Sequence, residues 1–372
     1  ISFMGDGTPC IRVQPGITRL ELAEEISRNR ELRGFFWAPD PTEPSATLGG
    51  IAASGAQGLS VGLYGRTERY IREILCMDSN GGVTDDMAFF GSEGRCGVIT
   101  ELELILTPKP KVKWGIACSF TDESTACGFA DTVRNGAGSL LPGLAVCEYI
   151  DRRSIDLVER RKSSVTAIQG LPDVETDAAA MIYLELHGTD EEVVTGTAEV
   201  LMRELLECGG DPEKAWAVTG EKEIDRMRAF RHAIPESVNI LVQEHRRDVP
   251  GIVKVATDMS IPDLSFTELI SLYRETLSNA PIDAVIFGHV LENHLHVNLL
   301  PENSAAMASS HALIWRLAEA CSRLSGSVVS EHGGGWLRKD ILQAFPPAGY
   351  RAHEQQLMRY VEPDDIWDRG ER

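Results

Sequence analysis

The sequence predicts an α+β fold in more than one domain, and three observations predict it. The chain has 372 residues, enough for two or three domains at roughly 100–200 residues each. Strand patterns rich in Ile, Val and Leu alternate with helical ones between residues 113 and 289, the layout of a sheet covered by helices. The period-two stretch ITELELILT (99–107) puts Leu102, Leu104 and Leu106 on one face and Glu101 and Glu103 on the other, and ends at the breaker PKPK (108–111). That breaker marks a domain boundary.

The elements follow in order. Thr18 followed by Glu21 opens residues 18–29 with a capping-box pattern, which predicts a helix. Residues 38–58 are rich in Gly, Pro and Ser without an apolar period. They predict a loop with no regular element, its small residues suited to passing close to a ligand. Beyond the breaker, strands are predicted near 113–120, 142–149, 180–187, 214–219, 252–260 and 282–289, with helices near 123–135, 190–208, 220–234 and 264–278. Residues 284–301 read as two strands joined by a tight connection. Residues 303–325 read as a helix with Met307, Ile314, Leu317, Cys321 and Leu324 along one stripe,. Residues 326–340 read as a strand, a Gly-rich turn and a new helix. The expected domains are 1–109, 110–302 and 303–372, the last being a helical segment.

Composition excludes several classes. Lys and Arg number 36 against 56 Asp and Glu, a formal net charge of −20 with no basic tract, which repels a polyanion such as nucleic acid. No apolar run approaches the roughly 20 residues that span a bilayer. The eight cysteines are dispersed with no CxxC pair, which predicts reduced thiols. The expectation is a soluble cytoplasmic protein, at most peripheral to a membrane.

Of the nine histidines, His289, His294 and His296 cluster in the predicted hairpin, and His332 stands beside Glu331. His294 and His296, two apart on a strand, share a face, with His289 across the connection. Imidazoles plus a carboxylate suit an open Zn²⁺- or Mn²⁺-type site; histidines hydrogen-bonded in a tight turn fit the spacing equally well.

Five segments in order then carry a resemblance. They are PDPTEPSATLGGIAASGAQG (39–58), YGRTERYI (64–71), FGSEGRCGVITELELILTPKP (90–110), GHVLENHLHVN (288–298) with SEHGGG (330–335), and the tail LMRYVEPDDIWDRG (357–370). Together they resemble the FAD-linked oxidases of the vanillyl-alcohol oxidase type, and within them the D-lactate, glycolate and D-2-hydroxyglutarate dehydrogenase branch. The resemblance implies an FAD-binding domain, of which 1–109 is the later part, a cap domain with an antiparallel sheet covered by helices, and a C-terminal segment returning to the flavin.

It also implies roles. Gly49, Gly50, Ala53, Gly58, Gly91, Ser92, Gly94, Gly97 and Ile99 stand where the family's two loops line FAD. His289, His296 and Glu331 match a divalent-metal set, and His332 matches the general base. Arg231 resembles the substrate-binding arginine, and Lys254 lies near the family's lysine position; Arg246 and Arg247 are further cationic candidates. The implied reaction is oxidation of a D-2-hydroxy acid to the 2-oxo acid, with electrons passed to a quinone, a cytochrome or an electron-transfer flavoprotein. Homodimerisation or membership of a complex is expected. The alternatives are a flavin-poor scaffold or electron-transfer subunit of a multi-subunit oxidase, and a non-redox flavoenzyme of the alkylglycerone-phosphate-synthase type.

Departures from the pattern are local. Leu291-Glu292-Asn293-His294 replaces the family's Gly-Asp-Gly-Asn, which removes both turn glycines and makes His294 a candidate substrate contact. Ile51 and Gly55 replace asparagines, and the interval from Gly65 to Gly91 is short. The family's GGGTGL-type phosphate loop does not occur in the sequence, so a piece of a longer chain is expected.

Overall fold

A computed structural model describes residues 1–43, 45–78, 81–278, 280 and 282–360. The chain divides into two compact units, one made of Ile1–Lys109 with Val329–Arg372 and the other of Pro110–Val328. The first boundary falls inside the PKPK breaker. The second falls later than residue 303, because the helix Ser304–Arg323 packs on the strands Val255–Ala256 and Met259–Ser260 of the second unit.

In the first unit the described residues form a five-stranded antiparallel sheet. Its spatial order is Ser2–Phe3, Pro9–Val13, Val98–Ile105, Ile71–Met77 and Val83–Asp85. Leu102, Leu104 and Leu106 enter the core as the alternation predicts. Glu103 is buried as well, accepting from Ser2 Oγ at 2.8 Å. The helix Arg19–Arg28 is capped by Thr18 and Glu21 in a complete capping box. Residues 38–58 correct the sequence expectation, since Leu48–Ser54 is helical. Thr47 caps it by accepting from Gly50 N at 3.2 Å, and Gly55 ends it in the left-handed region. A threonine cap and a glycine stop suffice for two turns despite the internal glycines.

The second unit is one sheet in the spatial order Ala215–Thr219, Val112–Phe120, Ala180–Gly188, Leu144–Asp151, Asp283–His289, His294–Leu300 and Val255–Ala256, with Met259–Ser260 also pairing the His294–Leu300 strand. One face meets the helices Glu123–Gly136 and Phe266–Ser278, with Phe120 against Phe129 and Tyr149 against Phe266. The other meets the helices Arg152–Arg161 and Glu221–Asp248 through Ile150, Met181, Val285 and Phe287. Strands expected at 142–149 and 252–260 are shifted or split: the first is Leu144–Asp151, the second two short pieces. The helix expected to stop at 234 runs on through Pro235 to Asp248. Ser327 makes only an isolated bridge to Ser260 where a strand was expected, and a helix follows at Gly335–Ala344. No disulfide forms among the described residues, and no helix among them is long and apolar enough to cross a membrane.

Candidate functional site: a polar row on the second sheet and two loops on the first unit

Strand pairing sets the site. Tyr183 lies opposite Glu148, Glu148 opposite His289, His289 opposite His294, and His294 opposite Ser260. Side chains alternate along a strand and directly paired residues share a face, so these groups make a row across one face of the sheet. Phe287 pairs with His296 one step along, on the same face.

The connection that brings the histidines together is the four-residue turn Val290–Asn293. Asn293 takes a positive φ (46°), and its Nδ2 donates to Ile261 O at 3.0 Å and Leu264 O at 2.6 Å. Asparagine tolerates the left-handed region.

Within the row, Glu148 is fully buried and holds two partners. His289 Nδ1 lies 2.5 Å from its Oε1, and Arg231 Nε donates to its Oε2 at 2.5 Å. Burial pushes the Glu148 carboxyl up, but His289 and Arg231 outweigh it and hold it at about 2,. Asp258, also buried, lies 3.0 Å from His294 Nε2. One ring nitrogen each from His289, His294 and His296 falls within 4.8 Å of the other two. These imidazoles fit a divalent metal by the chemistry of their donors.

Arg231 is buried on the helix Glu221–Asp248, its guanidinium 4.7 Å from the centroid of the Phe287 ring. Only its Nε is used by Glu148, and a guanidinium carries five N–H donors. Lys254 is exposed just before the strand Val255–Ala256, and Arg246 and Arg247 are exposed in the last turn of their helix. Those three stand outside the buried row.

Sequence reasoning missed Glu148 and Asp258. The available signal was a lone acid in the otherwise apolar LAVCEYI, since a buried carboxylate needs a partner. It also missed a second buried cluster. Glu185 accepts from Arg228 Nε at 2.6 Å and Nη2 at 2.7 Å and from Tyr183 Oη at 2.5 Å, and lies 3.0 Å from His187 Nε2. Burial raises the Glu185 carboxyl, yet Arg228 and His187 outweigh it and hold it well below the usual carboxylate range.

In the first unit the two glycine-rich loops are stitched together, Gly91 N donating to Ala52 O at 2.9 Å and Glu93 N to Ala53 O at 2.8 Å. They line a cavity of about 210 Å³ with residues of the Val329–His353 stretch. The glycines sort into two kinds. A Cβ on Gly49, Gly58 or Gly97 would meet Pro15, Asp40 or Met77 at 2.8 Å or less, so chain packing explains these three. Gly50 is exposed and would sit 3.1 Å from Thr47 Oγ1. Gly91 and Gly94 have φ of 71° and nothing within 4 Å of a Cβ. Bare backbone with room beside it is what a flat cofactor needs, so these two fit FAD. Ser92 and Ile99 are buried and Ala53 partly so. Glu331 and His332 lie in this unit with Glu331 Oε1 3.2 Å from His332 Nε2. The tail motif at 361–370 lies outside the described residues.

The chain folds as two α+β units, with paired glycine loops on one and a buried histidine row on the other. The chain belongs to the FAD-linked oxidases: the family described as "FAD linked oxidases, C-terminal domain" matches residues 109–369. It is similar to glycolate oxidase subunit GlcD of Bacillus subtilis, 24% identical over 349 residues that cover 89% of this chain and 68% of that protein. It is similar to the mitochondrial D-2-hydroxyglutarate dehydrogenase of Rattus norvegicus, 26% identical over 366 residues, 92% of this chain and 63% of that protein. A D-lactate dehydrogenase of Anaerostipes hadrus is 22% identical over 390 residues, 97% of this chain and 75% of that protein. Among solved structures, an alkyldihydroxyacetonephosphate synthase shares the fold with a TM-score of 0.63 at 14% identity, covering 98% of this chain and 64% of that one. The chain thus spans about two thirds of the length of the first two relatives.

Proposed function

We propose that this chain carries the substrate and catalytic parts of an FAD-dependent dehydrogenase that oxidises a D-2-hydroxy acid, such as D-lactate, glycolate or D-2-hydroxyglutarate, to the 2-oxo acid. The buried row Glu148–His289–His294 with His296 and Arg231 is the observation that carries this reading. A row of this kind costs folding energy unless every member has a partner, which suits a site built for a polar ligand. Family membership and the named activities of the relatives support it.

Bound FAD supplies a two-electron acceptor, and a bound divalent ion supplies a Lewis acid for the substrate hydroxyl. The protein's share is orientation and proton handling. Arg231, fixed by Glu148 through Nε, presents its remaining N–H groups to the substrate carboxylate. His289 and His296 would hold the ion on the second unit. His332 takes the hydroxyl proton as the Cα–H bond breaks and the C–O bond becomes a carbonyl. Gly91 and Gly94, with Gly50, Ala53, Ser92 and Ile99, border the flavin. Electrons then leave to a quinone, a cytochrome or an electron-transfer flavoprotein.

The test is a visible spectrum of the full-length protein followed by dye reduction with D-lactate, glycolate, D-2-hydroxyglutarate and D-malate. Flavin absorbance bleached by one of these acids supports the reading. Protein that neither holds nor takes up FAD is a scaffold, and flavin that none of the acids reduces points to non-redox chemistry.

A further inference from the structure

The histidine cluster holds one imidazole more than the resemblance implies, and all three rings belong to the Pro110–Val328 unit. We propose that His289, His294 and His296 form a three-imidazole site for a divalent ion of the zinc class, with Glu148 and Asp258 as positioning residues for two of the ligands. The inference deepens the metal-assisted reading above and rests on it for the site's use, though not for its chemistry.

Geometry comes first. The ring centroids stand 4.7 Å apart for His294 and His296, 5.4 Å for His289 and His294, and 5.9 Å for His289 and His296. Tetrahedral coordination at about 2.0–2.1 Å puts donor nitrogens roughly 3.3 Å apart. Nitrogens within 4.8 Å of one another stand at most about 1.5 Å beyond that spacing,.

Orientation is the second argument. His289 meets Glu148 through Nδ1, and His294 meets Asp258 through Nε2. An imidazole that gives its N–H to a carboxylate on one nitrogen carries its lone pair on the other, the tautomer that a metal ligand needs. Here the two rings are held by opposite nitrogens, so neighbours on adjacent strands present Nε2 and Nδ1 respectively. His289 and His294 face each other directly across the hairpin. The two buried carboxylates also offset much of an ion's charge.

The donor set then selects the ion. Three neutral nitrogens favour Zn²⁺, Cu²⁺, Ni²⁺ or Fe²⁺ over Mg²⁺, Ca²⁺ or Mn²⁺, which prefer oxygen. Asparagine in the family's block occupies the position of His294, so the third imidazole is a property of this sequence.

The full chain, stripped with chelator, is titrated with Zn²⁺ in competition with a chromogenic chelator, and with Co²⁺ read by its visible ligand-field bands. One equivalent of Zn²⁺ should bind, Mg²⁺ should not compete, and Co²⁺ should give the intense bands of a four-coordinate site. His294→Asn should weaken Zn²⁺ by about a hundredfold and change the Co²⁺ bands, and Asp258→Asn should weaken it by roughly tenfold. His294→Gln and Asp258→Asn carry the test if His294→Asn does not fold. The inference is overturned if His294 and Asp258 variants bind Zn²⁺ as wild type does while His289 and His296 variants lose it; the proposed function then stands with an ion held without His294. Wild-type protein that oxidises a hydroxy acid yet binds no Zn²⁺ sinks the metal site alone. Protein that binds Zn²⁺ through His294 but oxidises none of the acids leaves this inference intact and removes the proposed function.

Discussion

Glu148 and His289 face each other across adjacent strands with Oε1 2.5 Å from Nδ1, and the second oxygen of Glu148 is taken by Arg231. One fully buried carboxylate therefore sets both an imidazole on the sheet and a guanidinium on the covering helix.

Replacing Glu148 with Gln leaves Arg231 buried beside a neutral amide. Breaking such a pair costs about 3–5 kcal/mol, so the urea midpoint should fall steeply. Adding Arg231→Met should restore part of that loss, because the unpaired charge goes with it. Denaturation of the single and double variants checks this.

The two kinds of loop glycine should behave differently. Gly91→Ala places a methyl group in open space at a positive φ, costing about 1 kcal/mol, and should leave the fold while lowering bound flavin. Gly58→Ala drives a methyl into Asp40, which holds Ser60 through its backbone N at 3.1 Å and its Oγ at 2.7 Å. That variant should lose stability even without flavin. Thermal melting set beside flavin content separates the two.

Acid should weaken the second unit through Glu185. Its carboxyl is lower in the folded chain than the ordinary 4.5, so its contribution is fully present above that ordinary value. As pH falls below about 4.5 the unfolded state takes the proton first, and stability declines until the folded carboxyl is protonated too. His187, lowered by burial against the pull of Glu185, adds a loss in the same direction that begins as pH falls below the ordinary histidine value of 6.5. Urea titrations from neutral to acid pH should therefore show a smaller slope in Glu185→Gln than in wild type.

Replacing His332 with Ala should cut dye-linked turnover by at least about a hundredfold, the usual contribution of a positioned base. Bound flavin should be unchanged. Turnover at the wild-type level removes His332 from the role.

Local signals carried most of the fold. The capping box at Thr18 and Glu21 and the alternation at Leu102–Leu106 act through neighbours in sequence, and both form where expected. The failures have tertiary causes. The helix expected near 220–234 runs on through Pro235, which lacks an N–H to donate, because Val238 and Val242 beyond it bury against the sheet and keep the helix going. The site was legible in its types and not in its pairings. His289, His294 and His296 announce themselves by spacing, whereas Glu148 reaches them from a strand remote in sequence, and only the sheet order brings it there.

The first unit is sewn from both flanks of the second. Leu357 sits in its core with Ile74 and Phe89, Tyr360 packs on Phe89 at 4.8 Å, and Arg95 pairs with Glu354 at 2.8 Å. During synthesis the Pro110–Val328 unit is therefore complete in the nascent chain before its elder neighbour has the pieces to close. The unit begun first is finished last, and until then its glycine loops rest on a core still awaiting its clasp.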